Sequence, residues 1–217
     1  MNPALRFLTA LPPGVRALLV VLTVLGMAGV MGTFSKAYDL HAALALSPPA
    51  FWKGQVWQAV TYALLPAGIM DFLINGFMLA VLGAWVERAW SRRGLWTYCL
   101  ITATGTGLAK ALLTPSSNDV LTGTGGVVLG LIAAWVRLCG DERIQLLGVG
   151  EMPVRKAAAL VAAATLGLTV ATAGLMNALV AFSGALVGWF YLSVRWKFNA
   201  SQRSRIVVNE RVSRLEL

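Results

Sequence analysis

Few groups capable of chemistry lie within the apolar stretches of this 217-residue chain: the carboxylate of Asp71, the ammonium of Lys110, and the hydroxyls of Thr124 and Ser183 are the ones whose placement matters. A hydroxyl is a weak nucleophile until a base removes its proton, and an acyl intermediate needs hydrogen-bond donors aimed at its oxyanion. The sole histidine, His41, falls outside every apolar run, so Lys110 is the base that a Thr124 or Ser183 nucleophile would have to use. Asp71 has Asn75 one helical turn further on, on the same face. A carboxylate in a membrane helix is costly and is by default a functional candidate. The competing reading has Asp71 capping its helix at the outer interface, in contact with water. Thr122 and Thr124 read as capping hydroxyls for the helix that follows them. Two cysteines, Cys99 and Cys139, with one distant histidine make neither a disulfide framework nor a metal site, and no cofactor is implied.

The elements that must carry these groups follow from composition. The chain is 58% hydrophobic and 12% charged, with a mean hydropathy of +0.72. An ordinary soluble domain carries about 25% charge, so the solvent here is a bilayer. A helix crossing its core needs about 20 mostly apolar residues. Charge-free runs occur at 17–35, at 72–86 after an apolar approach interrupted by Pro66, at 95–109 and at 120–136. Residues 157–194 hold no charge at all. As one helix they would measure about 57 Å, nearly twice the core thickness, so they must fold back on themselves. The break belongs at Thr172–Asn177, where Gly174 and Asn177 supply turn conformations. The expected fold class is all-α, a polytopic bundle of six transmembrane helices.

Lysine and arginine are retained on the cytoplasmic side. With the N-terminus inside, fifteen basic residues fall on inner segments and only Lys36, Lys53 and Lys110 on outer ones. The expectation is therefore a cytoplasmic segment at 1–15, a membrane domain at 16–195 with a long outer loop at 36–66, and a basic cytoplasmic tail at 196–217, in a bacterial inner membrane. The first span is expected to stay uncleaved, because its apolar run exceeds that of a signal peptide. The net charge of +9 is a topology signal; no basic cluster alternates with exposed aromatics as nucleic-acid binding would require. The tail is placed to touch anionic lipid headgroups. Phe51, Trp52, Trp57 and Tyr62 fit either an outer loop half-sunk in the interface or an ordinary folded loop with an aromatic belt. The inner segments 87–93 and 137–156 read as solvated connectors, with Asp141-Glu142-Arg143 keeping the second one wet. No internal repeat supports an inverted-repeat transporter, and ionisable groups along a path, as a channel would need, are missing beyond Asp71 and Lys110.

Several ordered motifs over about 54–188 resemble those of rhomboid intramembrane serine proteases. Gly54-Gln55-Val56-Trp57-Gln58 resembles the approach to the second helix, with Gln58 where an arginine is usual. Asp71-Phe72-Leu73-Ile74-Asn75 is similar to the H-x-x-x-N stretch of that helix, with Asp71 for the histidine and Asn75 kept. Gly83-Ala84-Trp85-Val86-Glu87 matches the family's G-x-x-x-E spacing. Gly123-Thr124-Gly125-Gly126 is similar to the G-x-S-G signature, with Gly125 at the nucleophile and Gly130 following. In Ala181-Phe182-Ser183-Gly184 with Gly188, Ala181 stands at the catalytic histidine and Ser183 at a glycine.

The resemblance implies a rhomboid-like scaffold without rhomboid chemistry, a pseudoprotease. Gly125 offers no hydroxyl and Ala181 no base, and binding alone does not restore a missing covalent step. Asp71, Asn75, Thr124, Gly125, Ala181 and Ser183 would form a vestigial cavity that binds client helices. Gly126-x-x-x-Gly130 and Gly184-x-x-x-Gly188 would be the packing faces of the fourth and sixth helices. The implied partners are membrane lipid and the transmembrane segments of client proteins, as for derlins and inactive rhomboids. The competing enzyme reading is an intramembrane serine endopeptidase with a displaced nucleophile. If the alignment holds, Gly125 and Ala181 face each other with Asn75 close by.

Overall fold

The computed structural model describes residues 11–35, 40–140, 142–146 and 150–213. The expected segment 1–15 lies largely outside the described residues, as do Lys36, Asp141 and the end of the tail. Six long helices form the body. They are α1 (Pro13–Ser35), α5 (Ile69–Trp90), α6 (Arg92–Leu113), α7 (Gly125–Cys139) and a helical run Val154–Ser213 that Gly174 divides into α8, residues 154–173, and α9, residues 175–213. Short helices α2 (Leu40–Leu44), α3 (Pro48–Trp52) and α4 (Gln58–Thr61) shape the loop between α1 and α5.

Each boundary has a local cause. Gly174 takes φ 84°, ψ 166°, a left-handed backbone that a side chain disfavours, and reverses the chain with no loop. Between α5 and α6 a single residue, Ser91 (φ 92°), does the same. By length and composition Ile69–Trp90, Val154–Ala171 and Ala173–Arg195 are able to cross a membrane, while Pro13–Ala28 and Gly125–Cys139 are shorter apolar helices. α6 is less apolar because it carries Arg92, Arg93 and Lys110 as well as four threonines, yet Thr97, Thr102, Thr104 and Thr106 each donate to the carbonyl four residues back. Their polarity is spent inside the helix.

α1 starts at Pro13, which has no N–H to leave unmet. The next two amides, of Gly14 and Val15, donate to the two carboxylate oxygens of Glu87, each at 2.8 Å. The Arg16 amide already reaches the Pro12 carbonyl at 3.0 Å. One buried acid at the end of α5 thus completes the first turn of α1, with its negative charge at the positive pole of that helix. Gly14 makes this possible: a Cβ there would lie 2.7 Å from Glu87 Oε2. At the same end the Arg195 guanidinium lies 5.9 Å from the Trp90 ring, and that of Arg137 5.0 Å from the Trp189 ring. The arginines therefore gather on one face of the bundle.

Two expectations change. The helix expected at 120–136 begins only at Gly125, because Leu121 exchanges both backbone hydrogen bonds with Leu46 (2.8 and 3.0 Å) and holds the preceding residues extended. The connector expected at 137–156 holds a hairpin, β1 (Arg143–Leu146) against antiparallel β2 (Gly150–Pro153), with Ile144 opposite Met152. Alternation over four residues was too short to show as a strand.

Glu87→Ala leaves two helix-end amides unmet and is expected to cost about 2–3 kcal/mol. Glu87→Gln keeps an acceptor and costs less. Thermal melts of the detergent-solubilised chain test this order; equal melting temperatures for wild type and Glu87→Ala would remove the cap from the account.

Candidate functional site

The packing glycines are brought together. A Cβ on Gly184 would overlap the Gly126 carbonyl oxygen, one on Gly130 would lie 3.3 Å from the Gly184 carbonyl, and one on Gly188 would lie 3.3 Å from Gly130 Cα. α7 and α9 are therefore in backbone contact and run parallel, in a register of 58 residues read from both pairs (184 − 126 and 188 − 130). α6 closes the seam from a third side. Its Thr106 and Thr102 side chains lie 2.6 Å from where a Cβ of Gly126 or Gly130 would be, and the Tyr98 hydroxyl donates to the Gly130 carbonyl at 2.6 Å.

That register sets Ala181 level with Gly123, and Ser183 level with Gly125. Ala181 is buried. Gly123 is also where Asp71 arrives from α5: a Cβ on Gly123 would lie 3.0 Å from Asp71 Oδ2. Gly123 has φ 98°, and its amide donates to the Leu65 carbonyl at 2.7 Å. Asp71 accepts from the Ala67 amide at 3.1 Å and from the Asn75 side-chain amide. It both finishes the turn before α5 and makes a polar pair with Asn75. The Asn75 carbonyl oxygen is buried and has no hydrogen-bond partner among the described residues. The Asp71 carboxylate thus stands beside the head of α7 with capacity for a donor, and the enclosed Asn75 Oδ1 lies one turn along α5.

Gly125 is open: no heavy atom lies within 4 Å of a Cβ placed there. The residue held in the seam is its neighbour, Gly126. Thr124 is buried and makes no capping hydrogen bond, which corrects the capping expectation for that residue. Gly123 gives the chain a left-handed turn just before it, so the Thr124 side chain meets the helix at φ −90°, ψ 5° rather than in the extended form of a cap. Thr124 lines an apolar cavity of about 160 Å³ together with Leu22, Trp96, Cys99 and Val127. The Ser183 hydroxyl donates to the Val180 carbonyl at 2.6 Å, and the buried Lys110 ammonium donates to the Asn177 side chain at 2.9 Å. Lys110 thereby joins α6 to the start of α9.

Residues 16–195 match the sequence family described as eukaryotic integral membrane protein (DUF1751). The chain belongs to that family. No curated protein matches it. The DUF1751 description overturns the bacterial inner membrane as the setting, while an integral membrane location stands. Membership also fits an all-α chain with apolar helices throughout the matched span.

One organiser of this DUF1751 chain was not singled out in the sequence. Gln58, noted there only as a replacement for arginine, is fully buried, accepts from the Ser47 amide at 3.1 Å and donates to the Ala42 carbonyl at 3.1 Å. Thr61 adds a bond to the Leu44 carbonyl at 2.8 Å. A glutamine inside an apolar, charge-free stretch was the available signal. Of the loop aromatics, Trp52 and Trp57 stay exposed, whereas Tyr62 enters the core and donates to the Ala103 carbonyl at 3.0 Å. Burial pushes its phenol well above the ordinary range.

The neighbouring glycines separate by substitution. Gly125→Ala has room and is expected to leave stability within about 0.5 kcal/mol. Gly126→Ala drives a methyl into Thr106 and is expected to cost about 1–3 kcal/mol. Melts of the two purified variants decide it; the reverse order would show the register of α7 to be wrong.

Proposed function

We propose that this protein is a non-proteolytic, rhomboid-like membrane protein that binds transmembrane segments of client membrane proteins at the head of α7. What supports the reading is the Asp71–Asn75 pair, with Asp71 against Gly123 at the head of α7, two residues before Gly125, where a side chain would meet open space. α5 and the helical run 154–213 both pack on α7 and scarcely on each other, so α7 is flanked without being sealed. A client helix entering there would find open space at Gly125 for close approach and the partly exposed Asp71 carboxylate as an acceptor for a polar side chain or a loosened backbone amide. The α5 face beside Asp71 is already apolar and exposed, at Ile69, Met70 and Leu73. The motif resemblance gives further support, as does DUF1751 being a family of rhomboid-like proteins.

The reading without proteolysis rests on the family's two reactive positions being Gly125 and Ala181. Against a displaced nucleophile stand the partners of the remaining groups. Lys110 is engaged by Asn177, and the Ser183 proton by a carbonyl of its own helix.

A photoreactive side chain at position 125, with the adducts mapped by mass spectrometry, is expected to crosslink to membrane-spanning segments of other proteins. Asp71→Ala should reduce those adducts several-fold while leaving expression intact. Crosslinks to soluble segments only, or adducts indifferent to Asp71→Ala, would sink client binding at this site. Labelling of the purified chain by a serine-reactive probe, abolished by Thr124→Ala or Ser183→Ala, would establish the enzyme instead.

A further inference from the structure

The apolar cavity of about 160 Å³ that Thr124 borders lies between two helical stripes. Trp96, Cys99, Leu100 and Ala103 of α6 form one, at the spacing that puts residues on a single helix face, and Leu18, Val21 and Leu22 of α1 form the other. Two small side chains on the α6 stripe, Cys99 and Ala103, leave the space unfilled, and α1 packs more on α5 than on α6. The buried Leu79 of α5 closes the inner side. Leu100 also lines the cavity and is 50% exposed, so the cavity meets the surface of the bundle between α1 and α6. From Trp96 to Ala103 the lining runs about 10 Å along α6. Its Trp96 end is basic. Trp96 stands one turn after Arg92, whose guanidinium lies 6.0 Å from the indole ring centre, and Arg92 and Arg93 are both exposed. α1 starts at that same end, because Glu87 of α5 caps it, and it presents an exposed Arg16 two residues before Leu18.

We infer that this cavity holds one acyl chain of a phospholipid, which enters from the basic end and leaves its phosphate beside Arg92 and Arg93. A cavity with such walls offers water almost no hydrogen bonds and stays dry; one of about 150 Å³ in a soluble protein takes a small apolar guest. In a bilayer the apolar guest at hand is an acyl chain, which is present at every depth of the hydrocarbon core. A lining drawn out along the helix axis suits a chain better than a compact molecule. Charge complements the headgroup: the exposed guanidiniums at the mouth are the donors that a phosphate accepts from, and the indole of Trp96 marks the headgroup layer. The chain would supply the dispersion contacts that α1 and α6 do not make with each other. It would thus brace α1, which Glu87 holds only at its first turn. The site does not depend on the client reading, since none of Asp71, Asn75 and Gly125 lines it.

The test uses the full chain in phosphatidylcholine vesicles that contain phosphatidylcholine with a diazirine in one acyl chain. After illumination the adducts are mapped by mass spectrometry. Bulk lipid labels the exposed face of α9, at Phe182, Leu186 and Phe190. Label is expected as well at Cys99 and Ala103, which are buried and which only a chain inside the cavity would reach. Ala103→Phe fills the space and should lower the Cys99 adducts by about fivefold or more, while the α9 adducts, which report an intact bundle, stay as they were. Cys99→Ala enlarges the cavity and should raise the label at Ala103, a gain that misfolding does not produce. Arg92→Gln with Arg93→Gln should lower the cavity adducts by about two- to threefold through the lost phosphate contacts. Label on α9 with none at Cys99 or Ala103, or cavity label that ignores Ala103→Phe, would overturn the site. Cavity label that ignores the two arginine substitutions would overturn a phospholipid entering from the basic end.

Discussion

The contact between two helix backbones, Gly126 of α7 against Gly184 of α9, is the constraint from which the rest of this bundle follows. In a bilayer the lipid is as apolar as leucine, so burying leucine between helices gains little. Association has to come from close approach, and glycine gives the closest. Here the approach is repeated one turn on at Gly130 and Gly188, and Thr102, Thr106 and Tyr98 of α6 fill the third side. Two repeats fix both distance and register. With the register fixed, the positions level with the head of α7 are fixed too, so the chemistry available there depends on a packing contact that contains no chemistry.

The parts of this architecture that depend on periodicity and spacing were legible in the sequence. The charge-free run 157–194 was too long for one crossing, and Gly174 was the natural place to reverse it. The paired glycines four residues apart identified the seam. What stayed hidden depends on contacts distant in sequence. Nothing near Glu87 says that its partners are the amides of Gly14 and Val15, seventy residues earlier. Gln58 looked like a lost arginine and is instead the buried organiser of the loop above α6. Thr124 has the residue type of a cap, and the left-handed turn at Gly123 denies it the geometry. The hairpin at 143–153 was too short and too polar to stand out.

The two ends of α7 are built differently. At one end are the Asp71 carboxylate, against Gly123, and its hydrogen-bonded neighbour Asn75. At the other are Arg137 and Arg155, with Trp189 and Glu142 lining the same cavity. One helix, buried along most of its length, thus separates an acidic end from an arginine-bearing one. Between these ends threonine hydroxyls turn onto their own helix and Lys110 donates to Asn177, while the buried Trp135 indole N–H has no hydrogen-bond partner among the described residues.

The reversal at Gly174 bears on how the chain enters its membrane. α8 and α9 meet at one glycine, so the tip that must cross the bilayer carries no charged loop and little polar mass. Neither helix has a hydrophilic segment on the far side to hold it there alone. The two thus form one hairpin with Gly174 at its tip, Arg155 and Lys156 at one foot and Arg195 at the other.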